Sequence, residues 1–487
     1  MKRILLSIVL LSSVLMSAQT VIVDEKYTEK SKPADYNYLP KSKKFVLFKW
    51  NNVKTSLASL ATDAYVYDSN GNKSTLFENE KLVSCSFSQS ENTFKANDGS
   101  KLTMNPDFKY FQNSTLIQTA NKDDIIGNLN YFGFNDINKN YYSSSGRLPF
   151  SPFCASFNDS YELGLTNQKN KNRINFEKDD IYLETFNIKT KEKNRVKLET
   201  TKLDLLKGKS LIESTEEVTF TCKLKGNDSF DMITKSISKD QNETTIYKTT
   251  YDIQGKKIKD VALNLNLKDG FFVLSSCGVG YADLFNFDVQ AVNNYYEDPK
   301  NEDIYVYGIY TNKKSKVFKG FDPVGFYIFK FDKDGNKIWE SINPIKDSYF
   351  ENLSYSVSFN IKLVEYNDKL VFTSSTNDVT EFCNYAVVDK SSGSVLKTNR
   401  VSYNRNASFE KTNAFINNSN ESKELLRKVM NPLAFVAIDL NPKILAYLKT
   451  IPQKGDRIYF QSIFSDEGIW LVETDNEKYY KVLLFKD

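Results

Sequence analysis

Four times along the chain an apolar run ends at an aspartate, passes a glycine and resumes as a second apolar run. The clearest copy is Phe326-Tyr327-Ile328-Phe329-Lys330-Phe331-Asp332-Lys333-Asp334-Gly335-Asn336-Lys337-Ile338-Trp339. The others centre on Asp68-Ser69-Asn70-Gly71, Asp252-Ile253-Gln254-Gly255 and Asp389-Lys390-Ser391-Ser392-Gly393. A tight connection between twisted antiparallel strands needs positive φ, which glycine adopts without a Cβ clash. An aspartate opening the turn can accept from a backbone N–H two residues on. These segments therefore read as β-hairpins, and a hairpin repeated along a chain constrains architecture far more than chemistry.

A second pattern sits beside the first. Acidic residues lead directly into apolar runs at Asp124-Ile125, Asp180-Ile181-Tyr182, Asp269-Gly270-Phe271, Asp303-Ile304-Tyr305-Val306, Asp368-Lys369-Leu370 and Asp456-Arg457-Ile458. From Asp303 to Arg400 the order is acidic entry, strand, connection, strand, turn, strand, given twice. Units of that length match blades that bury their faces only against their neighbours. The stretch resembles the degenerate β-propeller repeats of exported bacterial proteins, on Ile304-Tyr305-Val306-Tyr307-Gly308 and on Phe331-Asp332 through Trp339. The resemblance covers roughly a third of the chain, concerns architecture only, and lacks the paired Trp-Asp of WD40 repeats. It implies an all-β, propeller-like fold of about 6–8 blades. Irregular spacing leaves tandem β-sandwich modules as the alternative.

The ends carry their own signals. Met1-Lys2-Arg3, an apolar run from Ile4 to Met16 and small residues at Ser17-Ala18 read as a cleaved export signal over residues 1–19. Residues 20–43, with few apolar positions, read as a loosely ordered leader, and 44–487 as a single propeller-like domain. The last hairpin, Gly468-Ile469-Trp470-Leu471-Val472 with Tyr479-Tyr480-Lys481-Val482-Leu483-Leu484-Phe485, reads as the piece that completes a blade, or as a sorting strand. Helix is expected only at Glu421–Met430, with Asn431-Pro432 as its stop, and more weakly at Thr201–Leu206. No later stretch reaches the ~18 apolar residues of a membrane span. The expected location is secreted, periplasmic or cell-surface.

Composition excludes much chemistry. The chain has no histidine, so Ser-His-Asp and Cys-His nucleophiles and His-ligated metal sites are ruled out. Five cysteines, Cys85, Cys154, Cys222, Cys277 and Cys383, include no Cys-x-x-Cys pair. Cys222 and Cys383 alternate in phase with apolar neighbours and read as small core residues, although one or two disulfides among the five remain open. No glycine-rich phosphate loop is present. Net charge is +4 with both signs interspersed, so no nucleic-acid footprint is expected, and the basic Lys189–Lys197 stretch reads as a solvated edge.

Two chemistries survive. Carboxylates from separate blades could hydrolyse glycosidic bonds, and Asp179-Asp180, Glu297-Asp298 and Glu302-Asp303 are the doublets to follow. Alternating oxygen donors at Asp332, Asp334 and Asn336, and at Asp68, Asn70 and Asn72, suit calcium, although the bidentate glutamate of a calcium loop is missing and a hairpin tip explains them better. Aromatic pairs at Tyr131-Phe132, Tyr141-Tyr142, Tyr295-Tyr296 and Tyr479-Tyr480 suit sugar or protein contacts, or packing between blades. The reading is an exported, non-catalytic binding or scaffold protein for a protein or glycan ligand at the cell surface, with no assigned catalytic, cofactor or metal residue. The alternatives are a carboxylate-dependent polysaccharide hydrolase or lyase and a β-sandwich adhesin.

Overall fold

The computed structural model describes residues 19–26, 28, 31–39, 43–51, 61–84, 94–95, 101–102, 109–112, 115–116, 154–157, 161–167, 180–187, 190, 192–199, 220–238, 240–276, 289–291, 293–298, 300–314, 323–345, 359–376, 380–404, 432–451, 458–475 and 479–486. The expected helices at 421–430 and 201–206, the export signal to residue 18, Cys85, Cys277, Asp179 and the aromatic pairs at 131–142 lie outside them.

The protein is all-β, and its recurring element is the four-stranded antiparallel meander of a propeller blade. Sheet I joins Gln19–Lys26 to Tyr479–Phe485, Gly468–Asp475 and Ile458–Ser465. Sheet II runs through Ser31–Leu39, Lys44–Asn51, Ala61–Tyr67 and Lys73–Ser84 and is extended by Lys109–Gln112, paired parallel to Lys73–Ser84, and by Thr115–Leu116. Sheet III contains Cys154–Phe157, Tyr161–Asn167, Ile181–Asn187 and Lys193–Lys197. Sheet IV contains Phe220–Lys225, Ser229–Ile237, Glu243–Asp252 and Lys257–Asn266. Sheet V has Ile304–Thr311, Pro323–Phe331 and Lys337–Pro344, with its first edge shared by Phe271–Phe272 and Asn293–Glu297. Sheet VI contains Phe359–Tyr366, Lys369–Thr376, Thr380–Asp389 and Val395–Asn404.

The chain divides into two compact units, residues 1–80 with 357–487, and residues 81–356. In the second unit sheet IV is covered on both faces. Leu224, Phe230, Met232 and Tyr251 pack on Leu163, Leu165, Ile181 and Leu183 of sheet III. On the other face Ile246, Val261, Leu263 and Leu265 pack on Tyr295, Val306, Tyr327 and Phe329 of sheet V. A β-sandwich module covers each sheet on one face only, so this three-deep stacking favours the blade arrangement over tandem sandwiches. In the first unit Trp470, Val472, Val482 and Leu484 of sheet I pack on Phe45, Leu47 and Tyr67 of sheet II. Trp470 stacks on Phe45 with ring centres 5.8 Å apart.

Two expectations change. Residues 20–43 are not a loose leader: Gln19–Lys26 is the fourth strand of sheet I, paired from Gln19 with Phe485 to Lys26 with Tyr479, and Ser31–Leu39 is the first strand of sheet II. Their polar composition misleads because each lies at a sheet edge, where one side of the strand needs no apolar cover. The final hairpin does complete a blade, with the amino-terminal strand as its fourth member. Pro432 begins a helix where a stop was read: α1, Pro432–Leu440, leads into α2, Pro442–Thr450. Proline suits a first helical position because its missing N–H would have no partner there. Asn441 caps α2 by accepting from the Lys443 N–H at 3.1 Å.

The hairpin tips show why their glycines are needed. Gly71, Gly255, Gly335 and Gly393 have φ of 85°, 84°, 89° and 75°. Three of them also rest on the outer strand of the preceding sheet. A Cβ on Gly335 would lie 2.5 Å from Val261 Cγ1, and one on Gly255 would lie 3.0 Å from Val196 Cγ2. Gly71 approaches the backbone of Val21 and Ile22. Immediately after three of these tips the outer strand bulges, and Ile258, Ile338 and Leu396 are the exposed extra residues. A bulge disrupts the ladder on an open edge and so discourages edge-to-edge pairing. Sheet III ends instead in the exposed, charged Lys193–Lys197 strand, the solvated edge its sequence suggests.

Candidate functional site

At the hairpin tips, the oxygens read as calcium donors belong to the turns. Asp332 Oδ1 accepts from the N–H groups of Asp334 and Asn336, both at 2.9 Å, and Oδ2 accepts from the Asn336 side chain at 2.8 Å. Asp68 repeats the pattern with Asn70 and Asn72 at 2.7–2.9 Å. The Asn336 and Asn72 carboxamides lead in holding these carboxyls below the usual range. At Asp389 the hydrogen bond from Ser391 leads, and the carboxyl falls to about 2. Asp334 is paired with Lys259 of sheet IV. The Asp-x-x-Gly signal is thus an Asx-turn device, with its carboxylate oxygens already engaged.

The acidic doublets separate as alternation on a strand requires. Glu297 enters a buried charge network between sheets IV and V. Lys248 Nζ lies 3.1 Å from Glu297 and 3.3 Å from Asp231, and Thr250 donates to Asp231 at 2.6 Å. Lys225 closes the outer side, 3.6 Å from Asp231, 4.0 Å from Glu297 and 3.8 Å from the exposed Glu302. The Tyr295 hydroxyl donates to Glu297 at 3.4 Å. Burial alone would push the Lys248 ammonium down, but Glu297 and Asp231 reverse this and hold it above the usual lysine range. Burial chiefly, then Glu297, pushes the Tyr295 phenol up. Asp298 instead accepts from the Lys300 N–H in its own turn, Asp303 pairs with Lys330 at 2.9 Å, and Asp180 pairs with Lys197 at 2.9 Å.

Two more carboxylates, half-buried Asp439 and buried Glu473, hold the helices in the first unit. Asp439, at the end of α1, accepts from the Tyr385 hydroxyl, from Lys397 at 2.9 Å and from Asn399 at 3.0 Å, all in sheet VI. Burial alone would raise its carboxyl, yet these three donors leave it below the usual range. Glu473 of sheet I accepts from Tyr447 of α2 at 2.5 Å and from Tyr479. Helix α1 is apolar nearly all round, with Leu433, Ala434, Val436, Ala437 and Ile438 buried, as suits a helix enclosed by protein. It touches Ile458–Ser465 of sheet I and Thr380–Asp389 of sheet VI, so α1 is seated against both of those sheets.

Tyr295, Tyr296 and Tyr480 are buried, which makes packing their role. Cys383 is a free, buried thiol, pushed by burial to about 12, as its apolar phase suggests. The charge network and the helix staples were not visible in sequence. A lysine in phase with buried Ile246 is the one local signal that marks Lys248.

These features define an all-β protein of antiparallel sheets, four of them four-stranded meanders, whose described buried acids are paired with lysine, arginine, tyrosine or amide donors. No protein-family model matches the chain, and no curated protein does. Similar solved structures include the β-propeller domain of the Trilobed protease from Pyrococcus furiosus, 8% identical, covering 94% of this chain and 93% of that one, TM-score 0.24. The GH93 α-L-arabinofuranosidase of Fusarium graminearum is 8% identical, covering 96% and 97%, TM-score 0.25. A DUF4221 family member from Bacteroides vulgatus is 8% identical, covering 66% and 91%, TM-score 0.19. Likenesses this small fix neither activity nor family, and the all-β assignment rests on the sheets themselves. Among the described residues no helix is long and apolar enough to cross a membrane.

Proposed function

We propose that the chain is an exported, propeller-like binding or scaffold protein that meets a protein or glycan ligand at the cell surface. One observation carries the non-catalytic part: Asp231, Glu297, Asp439 and Glu473 are tied to cations or hydroxyl donors that hold sheet to sheet or helix to sheet. A glycosidase needs one protonated acid and one ionised partner facing each other across a sugar, and Lys248 between Asp231 and Glu297 fills the space such a sugar would take. The export signal and the blade resemblance support the setting.

The test is a panel of glycans screened by thermal shift and, in parallel, for release of reducing ends. A ligand that raises the melting temperature without being cleaved supports the reading by mass action. Release of reducing ends that disappears in Glu297→Gln overturns it in favour of the hydrolase.

A further inference from the structure

Most of the sheets obstruct their outer edge. In sheets I, IV, V and VI the outer strand carries a bulge, and in sheet II further strands follow it. Sheet III has neither device: Lys193–Lys197 pairs with Ile181–Asn187 in unbroken register, and among the described residues no strand lies beyond it. Lys193, Asn194, Arg195 and Lys197 are exposed and Val196 is half-buried. A flat, open edge of this kind is a template for pairing with another chain.

The register fixes which main-chain groups face outward. The N–H of Leu198 donates to the Ile181 carbonyl and that of Asn187 to the Glu192 carbonyl, both at 2.9 Å, so the even-numbered residues of the outer strand bond inward. The groups on the open edge are those of the odd-numbered residues, Lys193, Arg195 and Lys197. At Glu199 the edge closes, because its N–H donates to the Gly255 carbonyl of the sheet IV tip at 3.1 Å.

The same alternation places three cationic side chains in a row on one face. Arg195 lies over the Tyr182 ring at 4.0 Å with its Nε 3.1 Å from buried Glu184, and Lys197 pairs with Asp180 at 2.9 Å while 58% of its side chain stays exposed. Lys193 has no acid within ion-pair reach among the described residues. The flanking acids are engaged, Glu192 by the Thr190 hydroxyl at 2.9 Å and Glu199 by the Lys257 N–H at 3.4 Å.

Such a row repels a second copy of itself, since like charges directly across a strand pair are unfavourable, and it favours a strand with acids at alternate positions. We propose that Lys193–Lys197 takes up an extended acidic peptide segment of a partner protein as an added strand of sheet III, its outward main-chain groups supplying hydrogen bonds and its lysines the charge match. This narrows the binding reading to a protein partner and rests on that reading only in expecting a ligand. A glycan or protein bound at another surface would survive its failure.

The test adds two capped peptides to the intact protein, one alternating glutamate with threonine and one alternating lysine with threonine, and follows amide solvent exchange by NMR. At about ten times its Kd the glutamate peptide should slow exchange at the outward Lys193 and Lys197 amides about tenfold. The inward Leu198 amide should change little. Lys193→Pro removes one outward donor and spares the inward ladder, so it should weaken the glutamate peptide about fivefold. Lys193→Glu should weaken the glutamate peptide and strengthen the lysine peptide, each about threefold. No binding up to ~1 mM, equal binding of the two peptides, or binding that leaves the outward amides exchanging as before would overturn the proposal.

Discussion

Two sheet-to-sheet interfaces handle buried charge in opposite ways. Between sheets IV and V the faces pack directly, and Lys248 is matched by Asp231 and Glu297. Between sheets VI and I the first strands touch through Tyr366 on Phe464, and beside them the helical pair is held by acids that accept from hydroxyls, Asp439 of α1 from Tyr385 of sheet VI and Glu473 of sheet I from Tyr447 of α2. Direct stacking leaves no room for an unpaired charge, since low dielectric makes one prohibitive. In this molecule one interface is held by a buried charge network and the other leans on tyrosine hydroxyls that close its acids.

The largest effect should come from breaking the paired side. Lys248→Met leaves two buried carboxylates facing each other and should cost about 3–5 kcal/mol in denaturant unfolding. Replacing Asp231 and Glu297 by their amides in the same protein should recover most of it. A cost under ~1 kcal/mol for the single change would show the network to be solvated, and the contrast between the two interfaces would lapse.

Next in size is the tip of sheet V. Gly335→Ala places a methyl against Val261 at positive φ and should cost about 1–3 kcal/mol. Gly226→Ala, also at positive φ but with open space around it, should cost less, about 1 kcal/mol. Equal costs would mean that backbone strain alone, without docking on sheet IV, explains the repeated glycine. For the helical pair, Tyr447→Phe removes a donor to Glu473 and should cost about 1–2 kcal/mol. If it does not, the pair is held by its apolar surface alone.

The smallest effect is a pH dependence where sheet I meets sheet II. Burial alone would raise the Glu25 carboxyl, but Lys49 at 2.6 Å and Lys73 at 2.9 Å bring it from 4.5 to about 2. A depressed folded value means the stabilisation is present above about pH 4.5 and lost as pH falls through about 2. Glu25→Gln should flatten that part of the acid stability curve. An unchanged curve would show that the amino-terminal strand is not held by this carboxylate.

Much of the architecture was legible in the sequence because its signals are local. An aspartate accepting from the backbone N–H groups two and four residues on and a glycine at positive φ occupy five consecutive residues, so Asp332 to Asn336 announces itself. The leader was misread because Ser31–Leu39 owes its place to pairing with Lys44–Asn51, which composition does not show. Helix α1 was hidden because Leu433-Ala434-Phe435-Val436-Ala437 is apolar without a 3.6-residue period, being enclosed rather than amphipathic. The sites were the least legible part. Asp231, Lys248 and Glu297 converge only through register and stacking, and Lys362, in the alternation Ile361-Lys362-Leu363, looks like any lysine on a solvated strand face.

The most direct test of that contrast is a pH titration of the Lys248 and Lys362 ammonium groups by NMR in the intact protein. Lys248 should titrate above free lysine and Lys362 below it. Coincident titration of the two, or the reverse order, would contradict the pairing of Lys248 with Asp231 and Glu297.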